Sequence, residues 1–222
     1  RAIEKPSNHK VLIKNYYPGL NWSDQILNEF YNLASYLRFI EHEYILSVVD
    51  IGKHDGRPYL VFEDHVAALL CDRQAGKPDL EDSLNFLYKV AEALDFIHKQ
   101  EILHGVLNPA NIALDIHGYP LLFDFGFGGV FRKLLLENMD AGFENLAFSD
   151  LRCTSPEQIM GRNPTRASDI YMYGIVAFYY IFGKYPFDGQ YMPETALLHF
   201  SRDLIPIEKP ETISLNTLQF IQ

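Results

Sequence analysis

Two segregated patterns predict an α+β chain. In residues 1–64, β-runs at Lys10–Lys14, Leu46–Ile51 and Tyr59–Glu63 flank one amphipathic stretch, whereas from Asp79 onward helical periodicity dominates. The third observation is a hairpin set among the helices: Ile112–Leu114 and Tyr119–Phe123 are short apolar runs joined by Asp115-Ile116-His117-Gly118, whose glycine supplies the positive φ of a tight turn. Asn111 stands at its entrance and Asp124 at its exit, so an amide oxygen and a carboxylate converge at one end of two paired strands. Hard oxygen ligands set that way suit Mg²⁺ carrying phosphates.

Along the chain, Pro6-Ser7-Asn8 marks a turn before the strand Lys10–Lys14, and Pro18-Gly19 marks another after it. Ser23 followed by Asp24 reads as an N-cap with an acid in the first turn. Ile26, Phe30, Leu33, Leu37 and Ile40 recur at alternating steps of four and three, which predicts a helix over Asp24–Ile40. Gly52–Pro58 reads as the turn between the next two strands. Asp79 caps a long helix with Leu80, Leu84, Leu87, Ala91, Leu94 and Ile97 on one face, ending near Lys99. Phe127-Gly128-Gly129 opens a flexible connection that reaches Thr154, with a short helical turn at Lys133–Asn138. Asp169 begins a strongly apolar helix ending near Phe182, and Pro193–Asp203 and Ser214–Gln222 read as further helices.

A chain of 222 residues forms one large domain or two small lobes, and 48% hydrophobic content is ample for a core. A formal charge of −10, without a Lys/Arg cluster to displace counterions, argues against nucleic acid as a direct partner. Cys71 and Cys153 are isolated, so neither a disulfide framework nor a zinc site is expected, and a reducing, cytoplasmic compartment is. The longest apolar run, Ile175–Phe182, falls well short of the roughly 20 residues that span a bilayer, and the first residues carry no signal-peptide pattern.

These residues carry a resemblance. Asn111, the triplet Asp124-Phe125-Gly126, and Ser155-Pro156-Glu157 33 residues after Asp124 resemble the catalytic-loop, DFG and APE signatures of eukaryotic-type, Ser/Thr-like protein kinases. Val11-Leu12-Ile13-Lys14 resembles the strand whose Lys holds the α- and β-phosphates, and Tyr59–Asp64 the strand leading into the hinge. His42-Glu43-Tyr44-Ile45 resembles the family's H-P-x-I, and Asp169–Gly174 the opening of its buried central helix. The resemblance implies a two-lobe fold, with a β-rich N-lobe over 1–64 and a mostly helical C-lobe over 65–222. It implies ATP and Mg²⁺ as ligands, with Lys14 on the phosphates, Asn111 and Asp124 on the metal, Phe62 as gatekeeper, and Glu63 and His65 at the hinge. Leu12 takes the family's small position on one face of the adenine and Ala113 a usually larger one on the other, so the two changes offset in volume. His104 is implied to pack under Phe125, and Asp169 to hold the catalytic-loop backbone. The family's glycine-rich loop would precede the Lys strand; the chain is expected to start inside the second strand, as a trimmed piece or a natural departure.

The catalytic loop departs from the family. Where the family has H-R-D-L-x-x-x-N, this chain has His104-Gly105-Val106-Leu107-Asn108-Pro109-Ala110-Asn111. Val106 stands at the position of the base, and a branched hydrocarbon accepts no proton. Gly105 removes the Arg that clamps a phosphorylated activation loop, and Asn108 replaces the Lys that assists the phosphoryl group. The helix Glu that pairs with the strand Lys falls on Leu33, with Glu29 one turn earlier either as a substitute or as an exposed acid. Ser149-Asp150 replaces the G-T pair before the substrate loop. His104-Gly105 matches the H-G pair of aminoglycoside and choline kinases, against which stand the DFG and S-P-E. Three readings stay open: a pseudokinase that binds ATP with Mg²⁺ and docks other proteins as a signalling or scaffolding module; a working kinase with a rearranged site, in which Asp150 approaches the place Val106 vacates; and an interaction domain that binds no nucleotide.

Overall fold

The computed structural model describes residues 2–3, 10–16, 20–73, 78–138 and 150–201. The expected turns at Pro6-Ser7-Asn8 and Pro18-Gly19, Ser149, and the helix at Ser214–Gln222 lie outside these residues.

Strands β1 (Ala2–Ile3), β2 (Lys10–Asn15), β3 (Val48–His54) and β4 (Arg57–Glu63) form one antiparallel sheet in the order β1-β2-β4-β3. Helix α1 (Asp24–Leu37) packs on β3 and β4. Ser23 accepts a hydrogen bond from the Ile26 N–H, as a cap should, and Ile26, Leu27, Phe30, Ala34 and Leu37 are buried. Phe30 is fully enclosed, a burial that contributes roughly 1.5–3 kcal/mol. The helix stops at Leu37 rather than Ile40, because the Phe39 and Ile40 N–H groups turn back to the Tyr36 and Leu37 carbonyls; Ile40 is still buried, so its place in the periodic pattern reflected burial and not helix.

The β3–β4 connection is narrower than Gly52–Pro58. Asp55 and Gly56 have φ of 48° and 79°, the two-residue hairpin geometry in which both central residues are left-handed. Gly52 and Pro58 lie inside the strands, and a Cβ on Gly52 would meet the Tyr59 ring at 2.2 Å. Strand β3 accordingly begins two residues later than expected and runs on to His54.

The second sheet is small: β5 (Ala68–Leu69), β6 (Ile112–Leu114) and β7 (Pro120–Leu122), antiparallel in that order, the last two being the expected hairpin with its second strand shortened. The further described α-helices are α2 (Leu80–Lys99), which packs on β7, α3 (Gly128–Glu137), α4 (Pro156–Ile159), α5 (Arg166–Phe182), which packs on α2, and α6 (Met192–Leu198). Asp79 caps α2 by accepting from the Asp82 N–H at 2.7 Å. Helix α5 starts before Asp169, because Thr165 and Ser168 form a reciprocal capping box, and ends at Gly183 in the left-handed conformation. Helix α6 ends at Leu198, short of Asp203.

Helix α3 is the largest departure from expectation. Ten residues directly after Phe127 are helical where a flexible start and one turn were expected. Phe127 is fully buried and stacks on Phe30 at 4.7 Å between ring centres, with Val130, Phe131 and Leu134 buried behind it. Packing on α1 thereby overrides the roughly 1 kcal/mol per residue that Gly128 and Gly129 cost a helix. Gly128 also permits a close approach, since a Cβ there would lie 3.1 Å from the Gly105 carbonyl oxygen.

A backbone seam ties the hairpin to the segment that leads into β3. The Leu46 N–H donates to the Leu122 carbonyl and the Leu122 N–H to the Tyr44 carbonyl, each at 2.9 Å, so the segment after α1 fixes the hairpin beneath the first sheet. No described helix is long and apolar enough to cross a membrane.

Candidate functional site

Strand β2 alternates, so Leu12, Lys14 and Tyr16 share the face turned to the hairpin. The Lys14 ammonium forms an ion pair with Asp124 Oδ2 and lies 3.4 Å from Asn111 Oδ1 and 4.8 Å from the centre of the Phe123 ring. Three residues expected to act together are therefore brought together. Tyr16, which the sequence reading passed over, joins them: its hydroxyl donates to Asp124 Oδ1. The available signal was its position two residues beyond Lys14, on the same face of the strand. Asp124 sits at the hairpin exit with φ of 63°, a left-handed conformation whose cost of order 1–3 kcal/mol is borne at this site.

The flanks of the cleft follow the sheet register. Leu12 lies opposite Phe62, which is buried and meets Phe123 edge-on at 5.9 Å. Ala113 is fully buried in β6. Glu63 and His65 are exposed at the end of β4 and hold each other at 2.8 Å. The link then returns to the hairpin, with the Ala67 N–H on the Leu114 carbonyl at 2.8 Å.

The loop at His104–Asn111 is organised by Asp169, whose carboxylate has no exposure. It accepts from the backbone N–H of His104 (2.8 Å) and Gly105 (2.7 Å) and bonds His98 Nε2 at 2.7 Å, so His98 is a buried, satisfied histidine. Val106 is buried, and its carbonyl accepts from the side-chain amides of Asn108 and Asn111, both at 2.9 Å. His104 faces Phe125 edge-on at 6.3 Å, as expected of a packing residue. Complete burial pushes its pKa down to about 4, so the imidazole is neutral near pH 7.

Glu29 does not serve Lys14. Its carboxylate takes Lys133 of α3 at 2.7 Å, and that hydrogen bond holds the carboxyl below its usual range. Leu33, at the expected Glu position, fills the space with hydrocarbon: its methyls lie 3.3 Å from where a Cβ on Gly126 would sit. Asp150 is gripped by the Arg152 guanidinium at 2.7 and 2.6 Å and caps the turn Leu151–Cys153, so both carboxylate oxygens are engaged by Arg152. A cavity of about 640 Å³ is lined by Asn108, Asn111, Asp150, Arg152, Tyr185 and Asp188 among others.

Asn111 and Asp124 do not fit Mg²⁺ as they are arranged. The ion demands near-ideal octahedral oxygen geometry and keeps several waters. Each Asp124 oxygen already accepts from a donor, and its side chain is 3% exposed. Among the described residues no three His, Cys, Asp or Glu side chains gather as a metal site.

The family model "Protein kinase domain" matches residues 1–222. The probable serine/threonine-protein kinase PknB of Lactococcus lactis is 27% identical over 208 residues, 93% of this chain and 32% of that protein. PrkC, a serine/threonine-protein kinase of Bacillus subtilis, is 28% identical over 182 residues, 81% of this chain and 27% of its own. The mitosis inducer protein kinase cdr2 of Schizosaccharomyces pombe is 33% identical over 155 residues, 68% of this chain and 19% of its own. The chain thus spans a third or less of the length of these relatives. A small antiparallel sheet set over a helical body, a strand lysine meeting a hairpin aspartate, and a match running the whole length together establish that the chain belongs to the protein kinase domain family.

Proposed function

We propose that this domain is a pseudokinase: it holds ATP through Lys14, transfers no phosphate, and acts by docking other proteins as a signalling or scaffolding module. The observation that carries this reading is Val106. It occupies the position of the family's proton acceptor, and its carbonyl is committed to Asn108 and Asn111. Loss of a general base alone removes roughly 10²–10⁴-fold in rate. The loop also lacks the family's Arg and Lys, at Gly105 and Asn108, so positioning of the phosphoryl group is lost along with the base. ATP would lie with its purine between Leu12 and Ala113, Phe62 behind it, Glu63 and His65 at the hinge, and its phosphates at Lys14. The lobes divide at 64/65, and two free cysteines fit a cytoplasmic setting.

A second reading is favoured by one observation: Asp150 lines the same cavity as Asn108 and Asn111. In that reading Asp150 leaves Arg152 and serves as the base of an active serine/threonine kinase. Transfer of labelled γ-phosphate to a generic basic protein substrate separates the two. The pseudokinase reading expects no transfer above background with ATP bound; robust transfer that disappears in Asp150→Asn would overturn it.

A further inference from the structure

The phosphate site differs from its family in how its charges are paired, and the difference bears on the metal. Lys14 has Leu33 where α1 would offer a carboxylate, and Glu29 is held by Lys133. Asp124 is therefore the one carboxylate partner of Lys14 among the described residues. On its other oxygen Asp124 accepts from Tyr16, whose ring is 1% exposed and wedged against Phe30 at 5.1 Å, Phe131 at 5.6 Å and Phe127 at 6.0 Å. That phenol is enclosed by aromatic rings on several sides.

Resting on the nucleotide-binding reading, we propose that this site takes a nucleoside triphosphate without a divalent cation. The Lys14 ammonium is the cation facing both Asp124 and the phosphates, and Tyr16 is the residue that excludes Mg²⁺. An ammonium carries three N–H donors. Asp124 and Asn111 account for two of them, and at 34% side-chain exposure Lys14 still faces solvent on one side, where an anionic phosphate can approach. A hydrated Mg²⁺ would have to enter beside a carboxylate that is 3% exposed and compete there with the Tyr16 hydroxyl and the Lys14 ammonium, which already hold its two oxygens. A phosphate oxygen has to do neither. Charge-assisted hydrogen bonds from a lysine bind phosphate as a point charge without help from a metal.

The test is calorimetric titration of ATP into the full chain with EDTA and with Mg²⁺ in excess, for wild type, Tyr16→Phe and Lys14→Ala. Wild type is expected to bind ATP at least as tightly in EDTA as with Mg²⁺. Tyr16→Phe keeps the packed ring and frees one carboxylate oxygen, so Mg²⁺ should tighten its binding severalfold. Lys14→Ala should not bind under either condition. Wild-type binding that requires Mg²⁺ would overturn the inference and leave the nucleotide reading intact, whereas no binding in either buffer would overturn both. Persistent metal independence in Tyr16→Phe would contradict the role given to the phenol. As a second readout, Mn²⁺ added to wild type with ATP should produce no protein-bound electron paramagnetic resonance signal; such a signal, lost in Asp124→Asn, would also overturn the inference.

Discussion

Asp169 shows at the scale of one side chain how this domain holds its loop. Its buried carboxylate satisfies two backbone N–H groups and one imidazole. Asp169→Ala should therefore cost about 3–5 kcal/mol in urea unfolding, the range for removing one partner of a buried charged network. A loss below about 1 kcal/mol would contradict the account. His104 makes a pH prediction. Its folded pKa is about 4 against an ordinary 6.5, so as pH falls below 6.5 the unfolded chain takes up the proton first and stability declines down to about 4. The decline should reach about 3 kcal/mol, and His104→Leu should flatten it between pH 6.5 and 4, because neither ring nitrogen has a hydrogen-bond partner among the described residues. The neighbouring Asp169 and Asp124 oppose this shift and His98 reinforces it, all less than burial does. The convergence of Asn111 and Asp124 was legible in the hairpin, and the meeting of Lys14 with them followed from the resemblance of its strand. Tyr16 was not legible, since an aromatic in a strand reads as core until the carboxylate across from it is placed. Glu29 had two readings, and a lysine more than a hundred residues away decided between them.

Among the elements, helix α3 links the cleft to α1 through Phe127 and Phe131 and through the Glu29–Lys133 pair. The exposed ion pair contributes little, about 0–1 kcal/mol, and the aromatic packing dominates. Phe127→Ala should destabilise the domain by about 3–5 kcal/mol and raise amide exchange in residues 128–137 before it does so in α2. Exchange that rises equally in both helices would show that α3 is not a separately anchored element. Helices α1 and α2 were readable because caps and apolar periodicity coincide, but the buried face of α2 is turned from the expected one: Leu84 is 55% exposed, and Phe86, Val90 and Ala93 are buried beside Leu87, Leu94 and Ile97. Helix α3 was not, because its first two residues are glycines and only the partner surface on α1 reveals why they are helical. The Asp55-Gly56 turn was hidden by Gly52 and Pro58, two breakers that the sheet accommodates inside its strands.

Over the whole molecule, one continuous core runs from Trp22 and Phe30 under the first sheet to Met172 and Val176 of α5. The sheet cannot shift without disturbing the Tyr44–Leu46 seam to β7, and Lys14 is thereby held over Asp124. The fold class was legible because strands and helices segregate along the chain. The state of the site was not, because it depends on which donors meet one carboxylate. The central claim is that this chain keeps a nucleotide pocket built on Lys14, and a thermal-shift titration with ATP, on wild type beside Lys14→Ala, tests it most directly. Wild type should gain about 2.7 kcal/mol at a hundredfold excess over Kd, and the variant nothing. A wild type that gains no stability at millimolar ATP, or a Lys14→Ala variant that gains as much as wild type, would contradict it.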